Sequence, residues 1–174
     1  MYHQYAPFYS ELWHKLRTGD TLLYSWDIGM GVNFTSLFAY YLASPINWLI
    51  ALLPQKYMIE IMNMLIVMKL CASSVTFSYY ISKHFHTKKC TIALFGMFYA
   101  LSAYSAAYSW NIMWLDCIVL IPLIMLGLEK LVDENKCYLY CISLGLCIFT
   151  NYYISIMVCI SCLLYTSPSP RDGL

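Results

Sequence analysis

Charge is what this sequence has least of. Charged residues make up 11% of its 174 positions, against about a quarter in an average soluble protein. Ten Lys and Arg with nine Asp and Glu cannot cover a chain that is 61% hydrophobic, and the mean hydropathy is +0.61. That excludes a soluble globular domain and a disordered segment. A formal net charge of +1 leaves no basic face, so nucleic acid is excluded as a partner. The opening Met1-Tyr2-His3-Gln4-Tyr5 has neither the basic region nor the apolar stretch of a signal peptide. Among the seven cysteines ahead of residue 162 none forms Cys-x-x-Cys. Gly29-x-Gly31 lacks the third glycine of a dinucleotide loop. His84-x-His86 has no cysteine or acidic residue close by in the sequence, which makes a solvated loop pair the simpler reading than a metal site.

What is present is long apolar runs, and they predict an all-α, polytopic transmembrane helix bundle. Residues 57–82 carry only Glu60 and Lys69 as charges. At 1.5 Å per residue the run measures ~39 Å, enough to cross a bilayer with tilt. Residues 90–108, 111–128 (interrupted by Asp116 and Pro122) and 137–161 follow, giving four expected spans. The loops 83–89 and 129–136 lie two spans apart and so share a side. Together they hold five lysines, whereas the link Ser109-Trp110-Asn111 holds none. The lysine loops are therefore expected to be cytoplasmic, with Tyr104, Tyr108, Trp110 and Trp114 as an outer aromatic belt.

Residues 1–56 then fall outside the cell as one large loop. Pro7, the four-residue repeat Phe8, Leu12, Leu16, the Glu11/Lys15 pair and Gly19-Asp20 predict a helix over 7–18. Trp13 and the neighbouring basic residues suit a helix lying on the membrane surface. Residues 34–53 are uncharged and long enough to span, but Ser44-Pro45 falls in their middle and Pro54 closes them. Two short interfacial helices, 35–43 and 46–53, and a proline-containing span are both compatible with this pattern. Residues 162–174 turn abruptly into Ser-Pro-Ser-Pro-Arg-Asp and resemble translated sequencing-adapter DNA, so they are expected to lie outside the fold.

Ionisable groups inside a bilayer are costly and become functional candidates for that reason. Counting along ideal helices puts Lys69 ~18 Å below the outer face and Asp116 ~8 Å below it. Asn151 comes out ~9 Å below that face in a 30 Å core. Asp116 and Asn151 thus share an expected depth, and Lys69 lies ~10 Å deeper. A direct Lys69–Asp116 pair would require a helix offset or an extended lysine. All three residues are equally readable as polar contacts between helices, with Lys69 an internal counter-charge. In the outer segment, Asp27 stands beside Trp26 and ahead of Gly29-Met30-Gly31, where flexible backbone lets a side chain approach a ligand. A solvated turn aspartate is the other reading.

The order of several short pieces carries more information than any one of them. Gln4-Tyr5-Ala6-Pro7-Phe8, Tyr24-Ser25-Trp26-Asp27-Ile28-Gly29-Met30-Gly31-Val32-Asn33, Ser44-Pro45-Ile46-Asn47, Met68-Lys69-Leu70, Tyr99-Ala100-Leu101-Ser102-Ala103-Tyr104, Asn111-Ile112-Met113-Trp114-Leu115-Asp116 and Asn151-Tyr152-Tyr153 together resemble the N-terminal part of YfhO-type bacterial membrane proteins, over residues 1–161. The resemblance implies a GT-C-like glycosyltransferase of the bacterial cell membrane. Such an enzyme passes a sugar from a polyprenyl-phosphate donor to a teichoic-acid-type cell-envelope polymer at the outer face. Its partners would be the lipid bilayer, the lipid-linked sugar and the polymer acceptor. The resemblance assigns no cofactor and leaves room for a divalent cation. It implies Asp27 and Asp116 as candidate catalytic carboxylates, and Lys69, Asn151, Gln4 and Tyr5 as candidate substrate-binding residues, with Lys69 as a holder of the lipid phosphate. It also favours 34–53 as part of the outer loop. The family pattern places an Asp just before Tyr2-His3-Gln4-Tyr5, where Met1 stands. That acid and a first span are thus expected upstream, and a fragment starting at Met1 is expected to be inactive. The competing classes are a transporter or flippase, in which buried charges line a path, and a non-catalytic assembly subunit.

Overall fold

A computed structural model of the chain describes residues 3–86 and 90–166. Two layers make up the fold: a folded cap formed by residues 3–57, and a helix bundle beneath it. The cap opens with α1 (Tyr5–Thr18), which stops where Gly19 turns left-handed at φ 73°. A short antiparallel hairpin follows, β1 (Tyr24–Ser25) with β2 (Val32–Asn33). The Asn33 side chain caps the single turn α2 (Phe34–Leu37) by accepting from Ser36 N–H. A π-helical turn over Phe38–Leu42 and a 3₁₀ segment over Pro45–Leu52 complete the cap. Residues 34–53 therefore form no continuous spanning helix. The chain is extended at Ser44, ψ 129°, as the proline that follows it requires.

The bundle contains α3 (Met58–His84), α4 (Thr91–Ala100), α5 (Ala103–Tyr108), α6 (Ile112–Glu134), α7 (Tyr138–Thr150) and α8 (Tyr152–Thr166). Gln55–His84, Thr91–Tyr108 and Ile112–Glu134 are long and apolar enough to cross a membrane. Outward faces carry exposed apolar side chains such as Val67, Phe98, Ile142 and Ile156, the arrangement a lipid solvent calls for. Three differences from the expected spans stand out. The second run bends at Leu101-Ser102 into α4 and α5. The fourth, 137–161, is broken at Asn151, whose φ of −159° and ψ of 103° are extended. Its two halves, 13 and 15 residues long, reach only ~20 and ~22 Å as helices. Finally, α8 runs on past 161, and Cys162 is buried against Cys117, Ile124 and Val158. The fold boundary expected at 162 is thus displaced to at least Thr166, because Cys-Leu-Leu-Tyr-Thr continues an apolar helix without penalty. Lys88, Lys89 and the Ser-Pro-Ser-Pro stretch lie outside the described residues.

Close helix approach rests on small residues. A Cβ at Gly96 would stand 2.6 Å from the Ser74 carbonyl oxygen, so α4 reaches α3 only with glycine there. Pro122 inside α6 has no N–H for the carbonyl four residues back. That carbonyl, of Ile118, accepts instead from Tyr99 Oη at 2.8 Å, so α4 supplies the donor α6 lacks.

The cap is not a surface helix with one greasy side. Its core joins Tyr5, Tyr9 and Leu12 of α1 to Phe34, Leu42 and Ile50, to Met58, Ile61, Met62 and Leu65 of α3, and to Ile112 of α6. Trp13 Nε1 donates to Leu53 O at 2.7 Å, and Arg17 Nε to Ala51 O at 3.0 Å. The residues read as membrane anchors therefore clamp the end of the 3₁₀ segment. The bundle's far end brings Lys83, His84, Glu129, Lys130 and Asp133 together, so the C-terminal ends of α3 and α6 share the end opposite the cap.

Candidate functional site

Two polar clusters converge on α1, one beneath it and one above. The lower cluster is buried. Lys69 of α3 has no exposed surface, and Asp116 of α6 is 5% exposed. Lys69 Nζ donates to Asp116 Oδ2 at 2.7 Å and to Ile112 O at 3.1 Å. Ser44 Oγ of the cap donates to Asp116 Oδ1 at 2.9 Å. The expected depth offset between Lys69 and Asp116 is thus corrected. Counting placed Tyr57 and Asn111 on one plane, but α6 begins beneath the cap, with Ile112 and Asn111 buried, and the Lys69 ammonium reaches the Ile112 carbonyl in its first turn.

This geometry reassigns two sequence candidates. Both Asp116 oxygens are occupied, so the carboxylate holds a cation and a cap hydroxyl rather than facing an open site. Lys69 is fully buried, with donors placed on Asp116 and on the Ile112 carbonyl. Breaking such a pair leaves an uncompensated buried charge, at a cost of about 3–5 kcal/mol. Tyr5 Oη donates to Asn111 Oδ1 at 3.1 Å, and Gln4 Nε2 to Tyr41 Oη at 3.1 Å. These two candidates also join the cap to itself and to the bundle. Among the described residues, Tyr9 Oη and Asn47 Oδ1 are buried with no hydrogen-bond partner. Burial raises the Tyr9 phenol above its ordinary pKa, and the Asp116 charge adds to that; burial likewise raises Tyr5, with Tyr41 and Tyr40 adding. Both phenols stay neutral donors.

Asn151 is buried at the α7–α8 break. Its Oδ1 accepts from Ile154 N–H at 3.0 Å and caps α8; its own carbonyl lies 4.0 Å from Cys117 Sγ. Its Nδ2 is buried without a partner. Asn151 and Asp116 do not touch, although Cys117 links their neighbourhoods.

The upper cluster lies between the C-terminal half of α1 and the hairpin, around a cleft of about 510 Å³. Glu11, Lys15, Asp20, Trp26 and Asp27 are among its lining residues; Asp116 is not. Ser25 Oγ donates to Glu11 Oε1 at 2.6 Å, Lys15 Nζ stands 3.5 Å from the same oxygen, and Asp27 N–H donates to Ser25 Oγ at 3.2 Å. Lys15 also donates to Thr21 O and Tyr24 O, which fastens the loop to α1. Asp27 is exposed and held by its backbone. The Glu11–Lys15 pair, on a different face of the helix from Phe8, Leu12 and Leu16, is buried. Its signal was present: the two residues sit 100° and 60° around the helix from Leu12, on the flank of the apolar stripe. What hid it was the hairpin, which no periodicity in α1 foretells. Among the described residues no three His, Cys, Asp or Glu side chains are grouped as metal ligands.

No curated protein and no solved structure matches the chain. The family model described as "Bacterial membrane protein YfhO" matches residues 1–168, which takes in the cap, every helix of the bundle and all six candidate residues. This chain is a polytopic membrane protein of the YfhO family.

Proposed function

We propose that this chain forms part of a GT-C-type glycosyltransferase, which moves a sugar from a polyprenyl-phosphate donor to a teichoic-acid-type cell-envelope polymer at the outer membrane face. One observation carries the reading. An exposed carboxylate, Asp27, borders an open cleft on a cap that is buttressed against the membrane bundle, at the end opposite the lysine loops. The acceptor hydroxyl gives its proton to the Asp27 carboxylate. Its oxygen bonds to the anomeric carbon, and the bond from that carbon to the phosphate oxygen breaks. The electron pair leaves with polyprenyl phosphate. Asp116 and Lys69 serve by holding the cap in register, and Gln4, Tyr5 and Asn151 support the same junction.

The test is sugar transfer by the gene's complete reading frame in membrane vesicles, supplied with radiolabelled polyprenyl-phosphate sugar and polymer acceptor. Asp27→Asn is expected to lower the rate by about 10²-fold or more, the scale of a lost acid–base group, at unchanged expression. Full activity in that variant refutes Asp27 as the base. The broken helix at Asn151 favours the transporter reading, since discontinuous helices build transport sites. Label that crosses the vesicle membrane without being joined to polymer would establish that alternative.

A further inference from the structure

Glu11 is the least expected group of the upper cleft. It is 8% exposed, yet it lines an open space. Its two contacts, from Ser25 and Lys15, fall on Oε1. Oε2 takes no hydrogen bond among the described residues and is not among the buried unpartnered atoms, so it is the oxygen left for a ligand. A carboxylate held rigidly at one oxygen and free at the other is a pre-oriented acceptor for a ligand's O–H or N–H group.

Across the same cleft stands Trp26, 77% exposed. Its ring is not loose: Tyr24 braces it edge-to-face, with centroids 4.9 Å apart at 67°. Gly31, at φ 103°, packs where any Cβ would strike the Tyr24 and Trp26 rings, so the glycine keeps the hairpin tight beneath both. A braced indole face is a flat apolar platform. Lipid is the other taker for an exposed tryptophan. However, Asp20 and Asp27 line the same cleft as this ring, and carboxylates are costly in hydrocarbon. A ligand with one apolar C–H face and a rim of hydroxyl groups matches both walls, and that is the chemistry of a pyranose ring.

We propose that the cleft between α1 and the hairpin is a carbohydrate subsite, in which Trp26 carries the ring face and Glu11 Oε2 accepts from a ring hydroxyl, while Ser25 and Lys15 position Glu11. The inference rests on the sugar-transfer reading for its biological setting, and it adds the groups that hold the sugar.

The intact chain in nanodiscs, probed with methyl glucoside and methyl N-acetylglucosaminide by saturation-transfer NMR, tests this. Transfer to the ring C–H protons of at least one glycoside is expected. Trp26→Ala should abolish it without changing the thermal unfolding midpoint, since the side chain is on the surface, and Trp26→Phe should retain part of it. Glu11→Gln should weaken binding roughly tenfold, the scale of a lost charge-assisted hydrogen bond. Undiminished binding in Trp26→Ala, or no binding of either glycoside by the parent chain, overturns the subsite. So does quenching of Trp26 emission by nitroxide-labelled lipid in place of sugar binding. The two readings fail separately. Glycoside binding with no transfer in the vesicle assay sinks the transferase alone, whereas transfer that survives Trp26→Ala sinks the subsite alone.

Discussion

Asp116 shows how a residue's environment decides its use. A carboxylate within an apolar run is conspicuous in the sequence, and its cost there points to function. The structure gives it Lys69 on one oxygen and Ser44 on the other. The resulting expectation differs from that for a catalytic base. Asp116→Asn preserves shape but strands the Lys69 charge, so misassembly is expected, with a loss of about 3–5 kcal/mol. Lys69→Met combined with Asp116→Leu removes both charges and should recover most of the stability, since a buried pair and an apolar pair of similar volume are often equivalent. Thermal unfolding of the four members of this cycle in detergent checks it. A loss in the double variant equal to the sum of the two single losses would mean that the pair does not act as a unit.

At the scale of elements, helices here are completed by their neighbours. The Tyr99 hydroxyl takes the place of the N–H that Pro122 lacks. Tyr99→Phe is expected to cost about 1 kcal/mol, as hydrogen bonds between membrane helices do. In a Pro122→Ala background the same substitution should cost less, because the backbone N–H regained at that position can serve the Ile118 carbonyl. A loss of the same size in both backgrounds, measured by thermal unfolding, would show that the hydroxyl acts elsewhere. The interrupted fourth run is similar. Its apolarity reads as one span, and only the polar Asn151 marks the place where the chain breaks. An Asn ahead of an apolar run is a helix N-cap signal, but the same residue is equally compatible with a continuous helix whose amide bonds to a neighbour. The break needs a buried site for non-helical backbone, and α6 supplies it.

For the whole molecule, sidedness follows from charge and layering from packing. The five lysines of the two loops predict a cytoplasmic end, and the fold puts Lys83 and Lys130 together opposite the cap. A single cysteine at position 20, on a cysteine-free background, should react with a membrane-impermeant probe from outside the cell. Labelling only from the cytoplasm would reverse the orientation and place the cap, with its cleft, inside. The sequence by itself determined the solvent, the class and the rough spans, because hydropathy and length are summed along the chain and need no partner. It also carried the family, through motifs in order. The Lys69–Asp116–Ser44 contact, the burial of Glu11 and the cleft beside Trp26 were decided only by tertiary structure. The first joins segments 47 and 72 residues apart, the other two fold the hairpin back on α1, and helical depth counted from a run's end assumes a common plane. The cap removes that plane by covering the start of α6 and leaving the upper face of α1 to the hairpin.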